Sequence, residues 1–174
     1  MPTFEHHGAS IYYEEFGQGL PILTFAPAGL QSVIKVWSSP SAPVNPTTEF
    51  AATFRVIAMD QRNAGGQSRA PITAQDGWHT YAADHIALLD HLRIDRCHLY
   101  GPGFLYSVDR AFVSGCRTPC LVLAGNDEAH PFPISEETAK LLPNCEFIRE
   151  WKEGAPLAAA KVRIKEFLSK HTLR

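Results

Sequence analysis

Asp127 and His130 stand three residues apart in the glycine-bearing stretch that follows the apolar run Pro119–Ala124. A carboxylate at the C-terminal end of a parallel strand lies where ligands bind in open α/β sheets. An imidazole three residues on can orient on that carboxylate, and it titrates near neutrality. The pair has the residue types of general acid–base chemistry. Read without chemistry, the same residues are a turn Asp and a surface His. A nucleophile to accompany them is hard to find. The run Cys97-His98-Leu99-Tyr100 ends in Gly101, and a strained strand-to-helix turn would present its nucleophile two residues later. That position is Gly103, which has no side chain. Ser107 and Ser114 follow in the next segment without a G-x-S-x-G setting, and Cys97 and Cys116 read as core or near-core residues. His79, His85, His91 and His98 match no metal-ligand spacing, so packing or exposure is their default.

The elements that must position these groups alternate between strands and helices. Thr3–His7 and Ser10–Phe16 read as a hairpin joined at Gly8, followed by a turn at Gly17-Gln18-Gly19 and a buried strand Pro21–Phe25. Ser38–Thr48 holds three prolines and reads as loop. Phe54–Met59 is the next buried strand, and Asp60–Pro71 a polar loop beyond it. His79–Leu92 predicts an amphipathic helix with Ala82, Ile86, Leu89 and Leu92 on its apolar stripe. Cys97–Tyr100 predicts a strand, Phe104–Val113 a helix, and Pro119–Ala124 a strand. Ser135–Leu142 predicts a helix capped by Ser135 and stopped by Pro143. Cys145–Trp151 predicts a strand, and Pro156–Lys170 a helix with Ala159, Val162, Phe167 and Leu168 among its apolar positions. This alternation argues for an α/β fold: a mainly parallel sheet covered by helices on both faces.

Composition narrows the function. The 174 residues fit one domain, residues 1–174, with a real core. The apolar share of 45% and charged share of 20% are ordinary for a globular protein. A net charge of −2 with no basic stripe argues against nucleic acid or a charged membrane as partner. No apolar run approaches a membrane span of about 18 residues, and no signal peptide is visible. Cys97, Cys116, Cys120 and Cys145 read as buried free thiols, which fits a cytoplasmic protein. No cofactor is implied, since neither a G-x-G-x-x-G turn nor a P-loop nor a ligand cluster occurs.

The order of motifs resembles the α/β-hydrolase fold family. Hairpin, strand ending in Ala26-Pro27-Ala28-Gly29, strand followed by Asp60-Gln61-Arg62-Asn63-Ala64-Gly65-Gly66-Gln67-Ser68, helix, and strand ending in Gly101 match its N-terminal half. The Asp60–Ser68 loop is similar to the family's DxRGxGxS segment, with Asn63 for the first glycine and one extra residue before Ser68. The strand Pro119–Ala124 with Gly125-Asn126-Asp127 is similar to the penultimate strand and its acid-bearing loop. The resemblance covers Met1–Tyr100 and Arg117–Leu168. It implies that Gly29 and Leu30 carry an oxyanion-hole amide, where glycine permits the tight turn. It implies that Asp127 is the triad acid. The family places its base after the last strand, but that loop here is Trp151-Lys152-Glu153-Gly154-Ala155-Pro156, so His130 is the nearest substitute.

The span from Pro102 to Pro119 holds one crossover helix and no more. An elbow helix, a further strand and a cap do not fit, which points to removal of an internal block with Pro102-Gly103 as the junction. Two outcomes follow. In the compact one, the strand at Cys120 lies beside the strand at Cys97. In the open one, the gap exposes apolar surface and favours a homodimer or segment exchange. The expected function is that of a shortened hydrolase of ancestral ester or acyl specificity, acting on a small ester or acyl compound if active, with an incomplete triad and little or no activity. The alternative is a catalytically silent scaffold that self-associates or binds a small molecule.

Overall fold

His7 and Gly8 both take positive φ, 47° and 76°. Two consecutive left-handed residues make the hairpin turn whose twist matches right-twisted strands. They join β1 (Thr3–His6) to β2 (Ala9–Phe16) in antiparallel register, with His6 opposite Ala9. The computed structural model describes residues 2–74, 76–101 and 108–172. The chain divides into two compact units, Met1–Pro102 and Gly103–Arg174. The division falls at Pro102-Gly103, the step expected to be a junction; both residues lie outside the described ones.

The first unit is built on a five-stranded sheet of order β1-β2-β4-β3-β5. Strand β3 (Pro21–Thr24) lies parallel to β4 (Arg55–Met59) on one side and to β5 (His98–Tyr100) on the other. Strand β2 runs antiparallel to β4. Ile22, Leu23, Val56 and Ile57 are all buried, as strands covered on both faces require. Leu23 and Ile57 pack with Phe4, Ile11, Tyr13 and with Leu88 of helix α2 (Trp78–His91). On the opposite face, Tyr100 meets the rings of Phe50 and Trp37 at 5.3 and 5.7 Å, and Phe54 meets His98 at 6.1 Å. The segment before β4 supplies those rings. It is not all loop as expected, since Asn45 caps a short helix α1 (Pro46–Glu49) by accepting from Thr47 N at 3.0 Å.

The second unit pairs β6 (Cys120–Leu123) with β7 (Cys145–Ile148) in parallel, Cys120 opposite Cys145. Helix α3 (Arg110–Gly115) is capped by Asp109, whose carboxylate accepts from Phe112 N at 2.8 Å. Helix α4 (Phe132–Leu141) packs on both strands, and α5 (Gly154–Lys170) buries Ala160, Ile164, Phe167 and Leu168. That i, i+4, i+7, i+8 stripe is the core-facing face of an amphipathic helix.

Several expectations need correction. Among the described residues β6 pairs with β7 and β5 with β3. Helix α3 packs against α4, with Arg110 Nε donating to Glu137 at 2.5 Å. The stripe of α2 is rotated, since Asp84 and Leu88 are buried while Ile86 is 60% exposed. On α5, Ala160 and Ile164 are inside and Val162 faces out. Ser135 does not cap α4, which begins at Phe132, and instead its Oγ accepts from Gly125 N at 2.9 Å. The helix expected at Phe104–Val113 begins at Arg110; residues 104–107, Ser107 with them, lie outside the described set. The four thiols are free but only half-buried.

Candidate functional site

In the second unit, β6 ends in Leu123 and the chain turns tightly through Asp127–His130. His130 N donates to Asp127 O at 3.2 Å and to Asp127 Oδ1 at 2.8 Å. Gly125 makes this turn possible: a Cβ there would sit 2.0 Å from His130 O, so only glycine admits the returning backbone. The turn places His130 Nδ1 2.8 Å from Asp127 Oδ1. The two residues singled out by spacing are thus in direct contact.

A third group completes the cluster. Lys152 Nζ donates to Asp127 Oδ2 at 2.7 Å from the loop after β7. Trp151 anchors that loop by donating from Nε1 to Ala124 O at 2.7 Å, which ties the ends of both strands together. Both oxygens of Asp127 are therefore held by donors. Lys152 and then His130 keep its carboxyl well below the usual carboxylate range. Sequence reasoning missed Lys152, because a lysine in a polar loop reads as solvated and its partner lies 25 residues away. A cleft of about 560 Å³ opens at the same strand ends, lined among others by Ala124, Asn126, Phe132, Arg149, Trp151 and Lys152. Its size is within the usual range of ligand pockets. Arg149 is braced there by Glu136 at 2.8 Å, with its guanidinium 5.2 Å from the centre of the Phe132 ring.

The first unit carries the other candidates. Gly29 and Leu30 open a 3₁₀ turn (Gly29–Gln31), where backbone N–H groups have no acceptor inside the turn. Ala28 precedes it at φ 90°, a conformation that costs a residue with a Cβ and needs its surroundings to hold it. Those surroundings include Ser32, whose Oγ donates to Ala26 O at 2.7 Å and whose carbonyl accepts from Gln61 N at 3.0 Å. Leu30 is 63% exposed in this turn.

The Asp60–Ser68 loop holds this turn in place, with Asp60, Gln61, Arg62, Ala64 and Ser68 buried. Asp60 accepts from Ile34 N at 2.8 Å and from Gln67 N at 2.7 Å. Ser68 Oγ donates to Asp60 O at 2.6 Å and accepts from Tyr12 N at 2.8 Å. Asn63 takes φ 56°, so the residue that departs from the glycine pattern still occupies the left-handed region, which Asn tolerates. Arg62 forms a two-pronged pair with the fully buried Asp84, Nε to Oδ2 and Nη2 to Oδ1, each 2.7 Å. His6 Nδ1 lies 2.9 Å from the same Oδ1. This loop is a clasp between β4, β1 and α2.

The remaining chemical candidates have packing roles. His85 packs tilted against Phe25 at 4.6 Å and donates from Nδ1 to Tyr81 O at 2.7 Å, and burial lowers its pKa. His91 stacks on Phe4 at 5.3 Å. Ser114 sits exposed on α3. Among the described residues no group of three ligating side chains is arranged to hold a metal, and no helix is long and apolar enough to cross a membrane.

No family model and no curated protein matches this chain. Solved structures do. An α/β hydrolase from Sphaerobacter thermophilus aligns with a TM-score of 0.71 at 14% identity, covering 95% of this chain and 99% of its own. An enol-lactonase from Burkholderia xenovorans gives 0.75 at 13% identity, over 97% of this chain and 100% of its own. A meta-cleavage product hydrolase from Pseudomonas fluorescens gives 0.78 at 11% identity, over 98% of each chain. These likenesses define the class: the chain has an α/β-hydrolase-like fold, in shortened form. The proteins it resembles are hydrolases by name.

Proposed function

We propose that this chain is a cytoplasmic α/β-hydrolase-like protein that retains an acid–base pair, Asp127 and His130, without a nucleophile, and turns over small esters slowly or not at all. One observation carries the reading: both oxygens of Asp127 are engaged, one by His130 Nδ1 at 2.8 Å and one by Lys152 Nζ at 2.7 Å. With Nδ1–H donated to Asp127, the imidazole lone pair lies on Nε2, the atom that takes a proton from an attacking group. No side chain at position 103 supplies that group. Water is then the available nucleophile, and a dyad that lacks the covalent step loses most of the rate enhancement of a complete triad. Gly29 and Leu30 are the proposed oxyanion-hole amides. That the neighbours span nearly the whole chain supports treating residues 1–174 as one domain.

Turnover of a chromogenic short-chain ester tests this. Wild type is compared with Asp127→Ala and His130→Ala. Weak hydrolysis abolished by either substitution supports the dyad; hydrolysis unchanged by both rejects it. A second reading is a silent scaffold that self-associates as a homodimer or binds a small molecule. The cleft beside Trp151 and Lys152 and the exposed Leu99 of β5 favour it. Complete absence of turnover, with a concentration-dependent sedimentation coefficient, is the result expected from that alternative.

A further inference from the structure

Tyr12, Glu14 and Phe16 alternate along β2, so their side chains share one face of the strand. All three line a cleft of about 470 Å³ in the first unit, with Lys35 and Asp60 also in its wall. The carboxylate of Asp60, 4% exposed, accepts from Ile34 N at 2.8 Å and from Gln67 N at 2.7 Å. Its charge is thus met by amides, and among the described residues by no cation. Glu14 is half-buried, and its Oε1 accepts from Tyr12 OH at 2.5 Å. Its other oxygen, Oε2, has no donor among the described residues. That hydrogen bond, and then burial, raise the pKa of the Tyr12 phenol, which keeps it a neutral donor. Lys35 is the single basic residue of the lining; it is exposed and makes no ion pair among the described residues. The lining therefore sets two negative charges against one positive, beside two aromatic rings.

We propose that this cleft binds a small primary ammonium compound with a short apolar tail. The ammonium donates to Glu14 Oε2, a charge-assisted hydrogen bond to an oxygen that the protein leaves open. The tail lies against Tyr12 and Phe16, where it leaves water and where the rings attract the adjoining positive charge. Asp60 adds attraction from a position already fixed by its two amides. Other ligand classes match less well. A calcium ion takes at least six oxygen ligands, and both oxygens of Asp60 are already engaged. A neutral sugar would leave the charge of the cleft unbalanced. The site lies wholly in the first unit and does not rest on ester hydrolysis.

The test is titration of the isotope-labelled full chain with butylammonium chloride, read by amide chemical shifts, with sodium chloride at matched ionic strength as reference. The expected result is saturable shifts at Tyr12, Glu14, Phe16 and Lys35 that sodium chloride does not produce. Glu14→Gln keeps the acceptor for Tyr12 and removes the charge, so binding should weaken by roughly tenfold or more. Lys35→Met removes the competing cation, so binding should tighten. Absence of saturable shifts in wild type, the same shifts with glucose or calcium chloride, or an unchanged affinity in Glu14→Gln overturns the proposal. Should Glu14→Gln fail to fold, wild type and Lys35→Met decide, and weaker binding in Lys35→Met overturns it.

Discussion

Asp84 is the residue on which the first unit depends most. It is fully buried and is the main countercharge of Arg62, itself 7% exposed, at two contacts of 2.7 Å. The next carboxylate, Asp76 Oδ1, is 3.8 Å from the guanidinium and not bidentate. Asp84→Asn keeps the shape and removes the charge, leaving a guanidinium buried without its main counterion. Breaking a buried pair from one side costs about 3–5 kcal/mol, against a total stability of roughly 5–15 kcal/mol. At roughly 2–4 °C per kcal/mol for a chain of this size, the melting temperature should fall by about 6–20 °C. Circular dichroism melting measures it. Hydrogen exchange locates it: protection should drop in α2 and in residues 60–68, while α5 is unchanged. Replacing both partners by apolar residues, Asp84→Leu with Arg62→Met, should recover most of the loss, since the cost lies in the orphaned charge. A loss below about 1 kcal/mol in the single variant, or a double variant no better than the single, would refute the reasoning.

Three further outcomes follow from the site and the core. Asp127 is ionised well below the usual carboxylate range, so its ion pair should be intact at pH values near 4, where an ordinary Asp is half-protonated, and be lost only as pH falls further. Carboxyl NMR checks this, and Lys152→Met should move the Asp127 midpoint upward; an unmoved midpoint contradicts the 2.7 Å contact. Gly125→Ala places a Cβ 2.0 Å from His130 O, so the backbone must shift; the melting temperature should fall and the His130 imidazole resonances should move. Leu88→Ala empties a position with no exposure between α2 and the sheet and should cost about 2–5 kcal/mol in urea unfolding.

Much of the fold is legible residue by residue. The hairpin at Gly8, the buried runs of β3 and β4, and the glycine-bearing loops follow from patterns a few residues long. So does the Asp127–His130 contact, because the two residues are three apart and share one turn. What failed has one physical character. The stripe of α2 was misplaced because Asp84, polar by type, is buried by Arg62, 22 residues away, and by His6, 78 residues away. Ser135 reads as a cap, yet it serves Gly125 across ten residues. Lys152 finds Asp127 only when β6 and β7 lie side by side.

The sequence alone determines the alternation of strands and helices, the absent side chain at position 103, and the acid–base pair of one turn. These depend on local periodicity, backbone φ preferences and residue identity. Only the tertiary structure decides that β6 pairs with β7 and that Lys152 takes the second oxygen of Asp127. Those outcomes depend on which distant groups satisfy a charge or an open strand edge, and that is settled by packing, not by spacing along the chain.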